Sequence, residues 1–223
     1  MASTLTPTVA MSTLMPELSG HLPGCPTAVI TSSIRTVAAD LCQRAKVLAV
    51  EAVPIAVTIG AYEYAVSTGV TYCESTDIIA AHLILADGSK IPLRWATFSA
   101  VQRARRSWPE ADDGQPVFVT ARDRQTIQLA PVPDTDATLY LTVNARPTSD
   151  ADVLPEWLHD EFNRELFHGV LHQLMMMPSR SWTNEKLAMY HGKHWAHRLA
   201  AARYRASTEY NVGTLSVEMR PFA

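Results

Sequence analysis

The feature that most constrains this chain is a change of hydrophobic period, helical at both ends and β-like in the middle. After a turn-like Leu22-Pro23-Gly24-Cys25-Pro26, apolar residues recur at Ile30, Ile34, Val37, Leu41, Ala45 and Leu48. Steps of three, four and seven place them on one face of a helix, assigned to residues 30–49. Thr31, Ser32 or Ser33 is the expected cap, and Pro54 stops any continuation. A second helix is expected over 155–176, with Pro155 in its first turn and Pro178 just beyond its end. A third is expected over 184–206, capped by Thr183.

Between them, residues 53–145 read as β structure. Residues 53–59 are β-branched and end at Gly60. The runs 77–85 and 90–93 flank Asp87-Gly88, and an Asp-Gly pair between apolar runs is a strong hairpin signal. Residues 95–106 read as a short helix through Phe98 and Val101. The runs 117–120 and 126–130 flank Arg122-Asp123-Arg124 as a second hairpin, closed by Pro131 and Pro133. The alternating run 139–145 is one more strand. The expected fold class is α+β: a bundle built from the N-terminal helix and the C-terminal helix pair, with a central antiparallel region of hairpins. One soluble domain over 24–206 is expected, preceded by a flexible arm (1–23) and followed by an extended tail (207–223). The Ser/Thr/Pro-rich arm reads either as a disordered tail or as a segment that orders on a neighbouring subunit.

Composition narrows the function classes. The 223 residues suffice for a core without disulfides or metal. Only 18% are charged, below the usual ~25%, which leaves more surface available for burial against partners. The net charge of −3 argues against duplex recognition by phosphate neutralisation. The dense basic run is Arg103, Arg105 and Arg106, with a looser one at Lys193, Arg198, Arg203 and Arg205. The cysteines, Cys25, Cys42 and Cys73, are odd in number and include no C-x-x-C pair, so neither a disulfide framework nor a zinc site is indicated and a reducing compartment is expected. No run of 18 apolar residues suggests a membrane span, and the N-terminus lacks the pattern of a signal peptide.

One cluster invites a chemical reading. Glu161, Glu165, His168 and His172 fall in a sector of about 60° on the 155–176 helix, and Glu165-Leu166-Phe167-His168 has the E-x-x-H spacing of carboxylate-bridged di-iron helices. Such a site needs a second E-x-x-H and two further carboxylates, which the chain does not supply. Phe162, Leu166, Phe167, Val170, Leu171 and Leu174 take the opposite side, so the Glu/His stripe is expected to point away from the core, into solvent or towards a neighbouring subunit. The rival reading is a metal-dependent enzyme using Glu165, His168 and His172. His191 and His194, spaced by three and near Arg198, are an equally thin metal signal and read by default as interface. No nucleophile elbow and no glycine-rich phosphate loop is present. Asp112 and Asp113 read as solvated loop acids, and Met175–Met177 as adaptable packing. No catalytic residue, metal ligand or cofactor is therefore expected. The candidate interface is Glu161, Glu165, His168, His172, His191, His194 and Arg198, with Tyr210, Arg220 and Phe222 in the tail.

Three stretches, taken in order, resemble the head-to-tail adaptors of tailed bacteriophages, of the tail-tubular-protein-A type found in short-tailed phages. They are Leu22-Pro-Gly-Cys-Pro26 with the helix through Ile34 to Cys42; Thr126-Ile-Gln-Leu-Ala-Pro-Val-Pro133 with Leu139-Tyr-Leu-Thr-Val143 and the turn at Arg146-Pro-Thr-Ser-Asp150; and Leu154-Pro-Glu-Trp-Leu158, Gly169 to Pro178 and Ser181-Trp-Thr-Asn184. The likeness spans about residues 22–206; the arm before Pro16 has no counterpart. The resemblance implies a virion protein without catalytic residues, made in the host cytoplasm. It implies a homo-oligomeric ring, usually of twelve copies, between the portal protein and a downstream tail or nozzle protein. Genomic DNA would pass through without sequence recognition. The helical part would pack on the portal, the tail would reach between subunits or onto the portal, and the β part would face the next tail component.

Overall fold

The computed structural model describes residues 7–110, 112–123 and 125–208. The chain starts with β1 (Thr8–Ala10), a 3-10 turn (Met11–Leu14), α1 (Met15–Ser19) and α2 (Thr27–Ala45). The β region runs through β2 (Ala49–Glu51), β3 (Ile55–Val57), β4 (Glu63–Ala65), β5 (Cys73–Leu85) and β6 (Lys90–Trp95). It continues with α3 (Phe98–Ala104), β7 (Asp113–Gly114), β8 (Phe118–Ala121), β9 (Thr126–Ala130), β10 (Val132–Pro133) and β11 (Ala137–Pro147). Then come β12 (Val153–Pro155), α4 (Glu156–Met175) and α5 (Glu185–Ser207). The fold class is α+β, as the change of period predicts.

The main sheet has the order β2-β11-β5-β6-β8-β9-β4, with β3 also on β11. Both expected hairpins form. At the β5–β6 turn Gly88 takes φ 83°, and the Asp87 carboxylate accepts from the Ser89 N–H at 2.8 Å. At the β8–β9 turn Asp123 accepts from the N–H groups of Gln125 and Thr126. The sheet is mixed rather than antiparallel throughout, because β6 meets β8 in parallel, as β7 meets β10. A helix, α3, intervenes between β6 and β8, and such a crossover returns the chain in the same direction.

Helix ends differ from expectation for local reasons. α2 begins at Thr27 after an extended Pro26, with no side-chain cap. The Ser33 hydroxyl instead reaches Gln173 of α4 at 3.1 Å. α2 ends before Pro54 has any influence: Lys46 turns left-handed (φ 56°), and its N–H bonds the Cys42 carbonyl. α5 is capped by Asn184, whose side chain accepts from the Leu187 N–H at 3.1 Å. Thr183 instead holds the α4–α5 turn, donating to the Met177 carbonyl and accepting from the Arg180 N–H.

The flexible arm expected over 1–23 is, from residue 7 on, part of the fold. β1 pairs antiparallel with β12, and Met11, Leu14, Leu18 and Leu22 are buried in the helical core. Their spacing of three and four is helical, and the surrounding Ser, Thr and Pro obscure it. Residues 1–6 lie outside the described residues, as does the tail from 209 onwards. The helical core joins α2, α4 and α5 around Ile34, Leu41, Phe162, Leu166 and Leu174. A second core fills the sheet with Val57, Leu83, Ile127, Leu129, Leu139 and Val143.

Candidate functional site: the seam between the last two helices

α4 and α5 run antiparallel. The pairs His172–Ala188, His168–His191, Glu165–Arg198 and Glu161–Arg205 mark the seam in order. This overturns the outward-facing stripe read from the helical wheel. Glu165 is only 4% exposed and His191 only 7%. The wheel assigns α4 one packed side, whereas α4 is packed on two, by α2 and by α5. Gly169 shows how closely: a Cβ there would lie 2.5 Å from Val37 Cγ1 of α2 and 3.1 Å from Trp195 Cε3 of α5. Gly192 allows the matching approach from α5, since a Cβ would lie 2.8 Å from His172 Nδ1.

The polar stripe is therefore matched by polar groups on α5. The Glu165 carboxylate lies 3.6 Å from Arg198 and 3.8 Å from Arg205. Arg205 also bonds Glu161 at 2.9 Å and lies over the Phe162 ring. His172 donates its Nδ1–H to the Ala188 carbonyl at 2.9 Å. The Nδ1 atoms of His168 and His191 are 2.8 Å apart. One must donate and the other must accept, so the contact requires at least one neutral ring. His194 stacks on His168 and lies against Tyr190. Burial holds the His168 imidazole well below its ordinary value, at about 4, helped by His191, His194, Arg198 and Arg164. Burial lowers His191 too, with His21, His194 and His172 adding to it.

These partners also account for the E-x-x-H spacing. Glu165 is engaged by arginines, His168 by an imidazole and His172 by a backbone carbonyl. Among the described residues no group of three or more His, Cys, Asp or Glu is placed to hold a metal ion. Cys42 and Cys73 are buried thiols, raised by desolvation, Cys73 to about 12. Of the other expected interface residues, Tyr210, Arg220 and Phe222 lie outside the described residues.

Exposed apolar side chains, most of them without a role in the sequence analysis, stand on both halves of the fold. On the helical half they are Met176, Leu187, Met189, Tyr190 and Tyr204. On the β half they are Ile59, Ile79, Trp95 and Val117. The available signal was the Met189-Tyr190 pair and Tyr204, large apolar residues on the side of α5 away from Ala188, His191, Trp195 and Leu199. No helix is long and apolar enough to cross a membrane among the described residues.

No curated protein matches the chain. The family model of the SU10 adaptor protein matches residues 11–217, from the buried Met11 through the whole sheet and both C-terminal helices and past the end of α5. The chain belongs to the SU10 adaptor protein family and is a phage structural adaptor.

Proposed function

We propose that the protein forms a closed homo-oligomeric ring, of twelve copies by the resemblance to tail-tubular-protein-A adaptors of short-tailed phages. The ring joins the portal vertex to the tail and continues the DNA channel. The observation that carries this reading is the family match over residues 11–217. The surface supports it. A ring needs heterologous contacts, in which one patch meets a different patch on the next copy. Exposed apolar residues stand on both halves, Met176, Leu187, Met189 and Tyr190 on the helices and Ile59, Ile79, Trp95 and Val117 in the β region. Scattered single apolar residues would need no explanation, but Met176, Leu187, Met189 and Tyr190 gather around the α4–α5 turn and the first turns of α5. In this reading the helical half meets the portal protein and the β half meets the next tail or nozzle protein. The net charge of −3 suits a wall that lets DNA slide past without recognising its sequence. The chain is made in the host cytoplasm and joins the virion at the head-to-tail junction.

Electron microscopy of the neck of purified particles tests this directly. A ring of this chain beneath the portal is the expected result. Its absence from purified particles, or its presence in a fibre instead, would overturn the reading.

A further inference from the structure

α5 bares one side along its length. Lys186, Tyr190, Lys193 and His197 follow one another at steps of four, three and four. With Met189 and Tyr204 they fall within a sector of about 100°. This stripe lies opposite Ala188, His191, Trp195, Leu199 and Ala202, the side that packs inwards. Met189, Tyr190 and Tyr204 are 62%, 52% and 60% exposed. Exposed tyrosine offers a large apolar area with a polar tip, a residue type enriched where proteins meet. Arg198 and Arg205 turn to Glu165 and Glu161. Lys186 and Lys193 carry no ion pair among the described residues, and the one acid of α5, Glu185, stands in its first turn beside the stripe. Such a face matches an acidic counterpart.

The outward side of α2 supplies one. Ser32, Thr36, Ala39 and Gln43 repeat the steps of four, three and four, opposite the buried Ile30, Ile34, Val37 and Leu41. They line a groove of about 780 Å³, together with Glu74 and the chain from Arg146 to Asp150. Small side chains on this face let a second helix lie close. The groove's basic residues are already engaged, Arg35 by Asp152 and the Ala151 carbonyl, Arg146 by Glu74 and Gln43. Asp40 shares a solvated bridge with Arg44. Asp150 has no cation within ion-pair distance among the described residues, so the groove is left acidic. Each stripe runs about 17 Å along its helix, so the two match in length. They belong to different helices, and a contact between them is heterologous, the kind that closes a ring by rotation. We infer that the outward stripe of α5 in one copy seats in the α2 groove of the next copy, with its lysines beside Asp40 and Asp150. This rests on the ring proposed above and names the faces that build it. Met176 and Leu187, at the α4–α5 turn, remain for the portal.

Charge reversal in the full chain, followed by rescue, tests it in purified particles. Lys186→Glu with Lys193→Glu should lower the copies of this chain per particle at least about tenfold, because like charges then face each other across the contact. Adding Asp40→Lys and Asp150→Lys to that chain should restore incorporation to within about threefold of the native level. All four side chains are solvated, so the isolated variants should melt with the native chain, and the rescue itself shows that the reversed chain folds. Undiminished incorporation of the α5 variant overturns the inference. So does a loss that the two added lysines do not repair, which would assign the α5 stripe to the portal or to another acidic protein. Native particles that hold no ring of this chain would overturn the ring itself, whereas a ring indifferent to both reversals overturns only the choice of faces.

Discussion

Where α4 meets α2 the contact is apolar apart from the Ser33–Gln173 hydrogen bond; where it meets α5, the apolar Ala188 and Trp195 are joined by a row of carboxylates, imidazoles and guanidiniums. Both sides are buried at their centre, yet they exclude water by different means. The α2 side does so with apolar volume. The α5 side pairs Glu161, Glu165, His168 and His172 across the seam, at a desolvation cost that the pairing offsets. The first should fail through cavities and be indifferent to pH. The second should tolerate loss of volume better and respond to charge.

The largest effect is expected on the α2 side. Leu166 is fully buried and lies seven residues before Gln173, on the same face. Leu166→Ala should cost about 2–5 kcal/mol, read as a shift in the urea midpoint with little change from pH 7.5 to 5. A cost below about 1 kcal/mol would mean that α2 and α4 can close over the cavity, and the contrast between the faces would weaken.

Gly169 touches both sides at once. Gly169→Ala puts a methyl 2.5 Å from Val37 and 3.1 Å from Trp195. The usual helix-propensity gain of about 1 kcal/mol over glycine should be outweighed by overpacking of about 1–3 kcal/mol. Thermal unfolding would show a lowered Tm; a raised Tm would show that the helices can move apart. On the polar side, Glu165→Ala removes the carboxylate shared by Arg198 and Arg205. Both guanidiniums are partly solvated, at 31% and 41% exposure, and can rehydrate. The cost should therefore be about 1–2 kcal/mol, below the 3–5 kcal/mol of a pair that strands a buried charge. Equilibrium unfolding at neutral pH measures it.

The same two faces explain what the sequence discloses and what it hides. The hairpins are legible because Asp87-Gly88 and Asp123 write their turns locally, through a positive φ and through carboxylates that cap N–H groups two and three residues on. The three long helices are legible from apolar spacing. The orientation of α4 is not, because a wheel locates one apolar partner, and α4 has a second partner whose matching groups lie 16 to 44 residues away on α5. His168 is paired with His191 and Glu161 with Arg205, and neither pairing leaves a trace in local periodicity. The parallel meeting of β6 and β8 is hidden for a similar reason: it depends on where α3 returns the chain. In the N-terminal segment the spacing of Met11, Leu14, Leu18 and Leu22 was present, but composition spoke against it.

The smallest expected effect is the most specific to the polar side. The folded state holds His168 at about 4 and lowers His191, while the unfolded chain takes up protons near the ordinary 6.5. Between those values the unfolded state binds more protons, so stability rises with pH across that window. The contribution is complete above about 6.5, is lost progressively on acidification towards about 4, and levels off below it. Protonating both rings also removes the acceptor from the His168–His191 contact and places new charge beside Arg164 and Arg198. Solvent reaches His168, which screens the effect to about 1 kcal/mol. Urea midpoints at pH 7.5, 6 and 5 for the native chain and for His168→Gln test it. Carboxylate contributions are common to both chains and cancel in the difference, so the variant should show the shallower slope. Coincident slopes would mean that the seam hydrates freely, and the two faces of α4 would then differ in composition without differing in response.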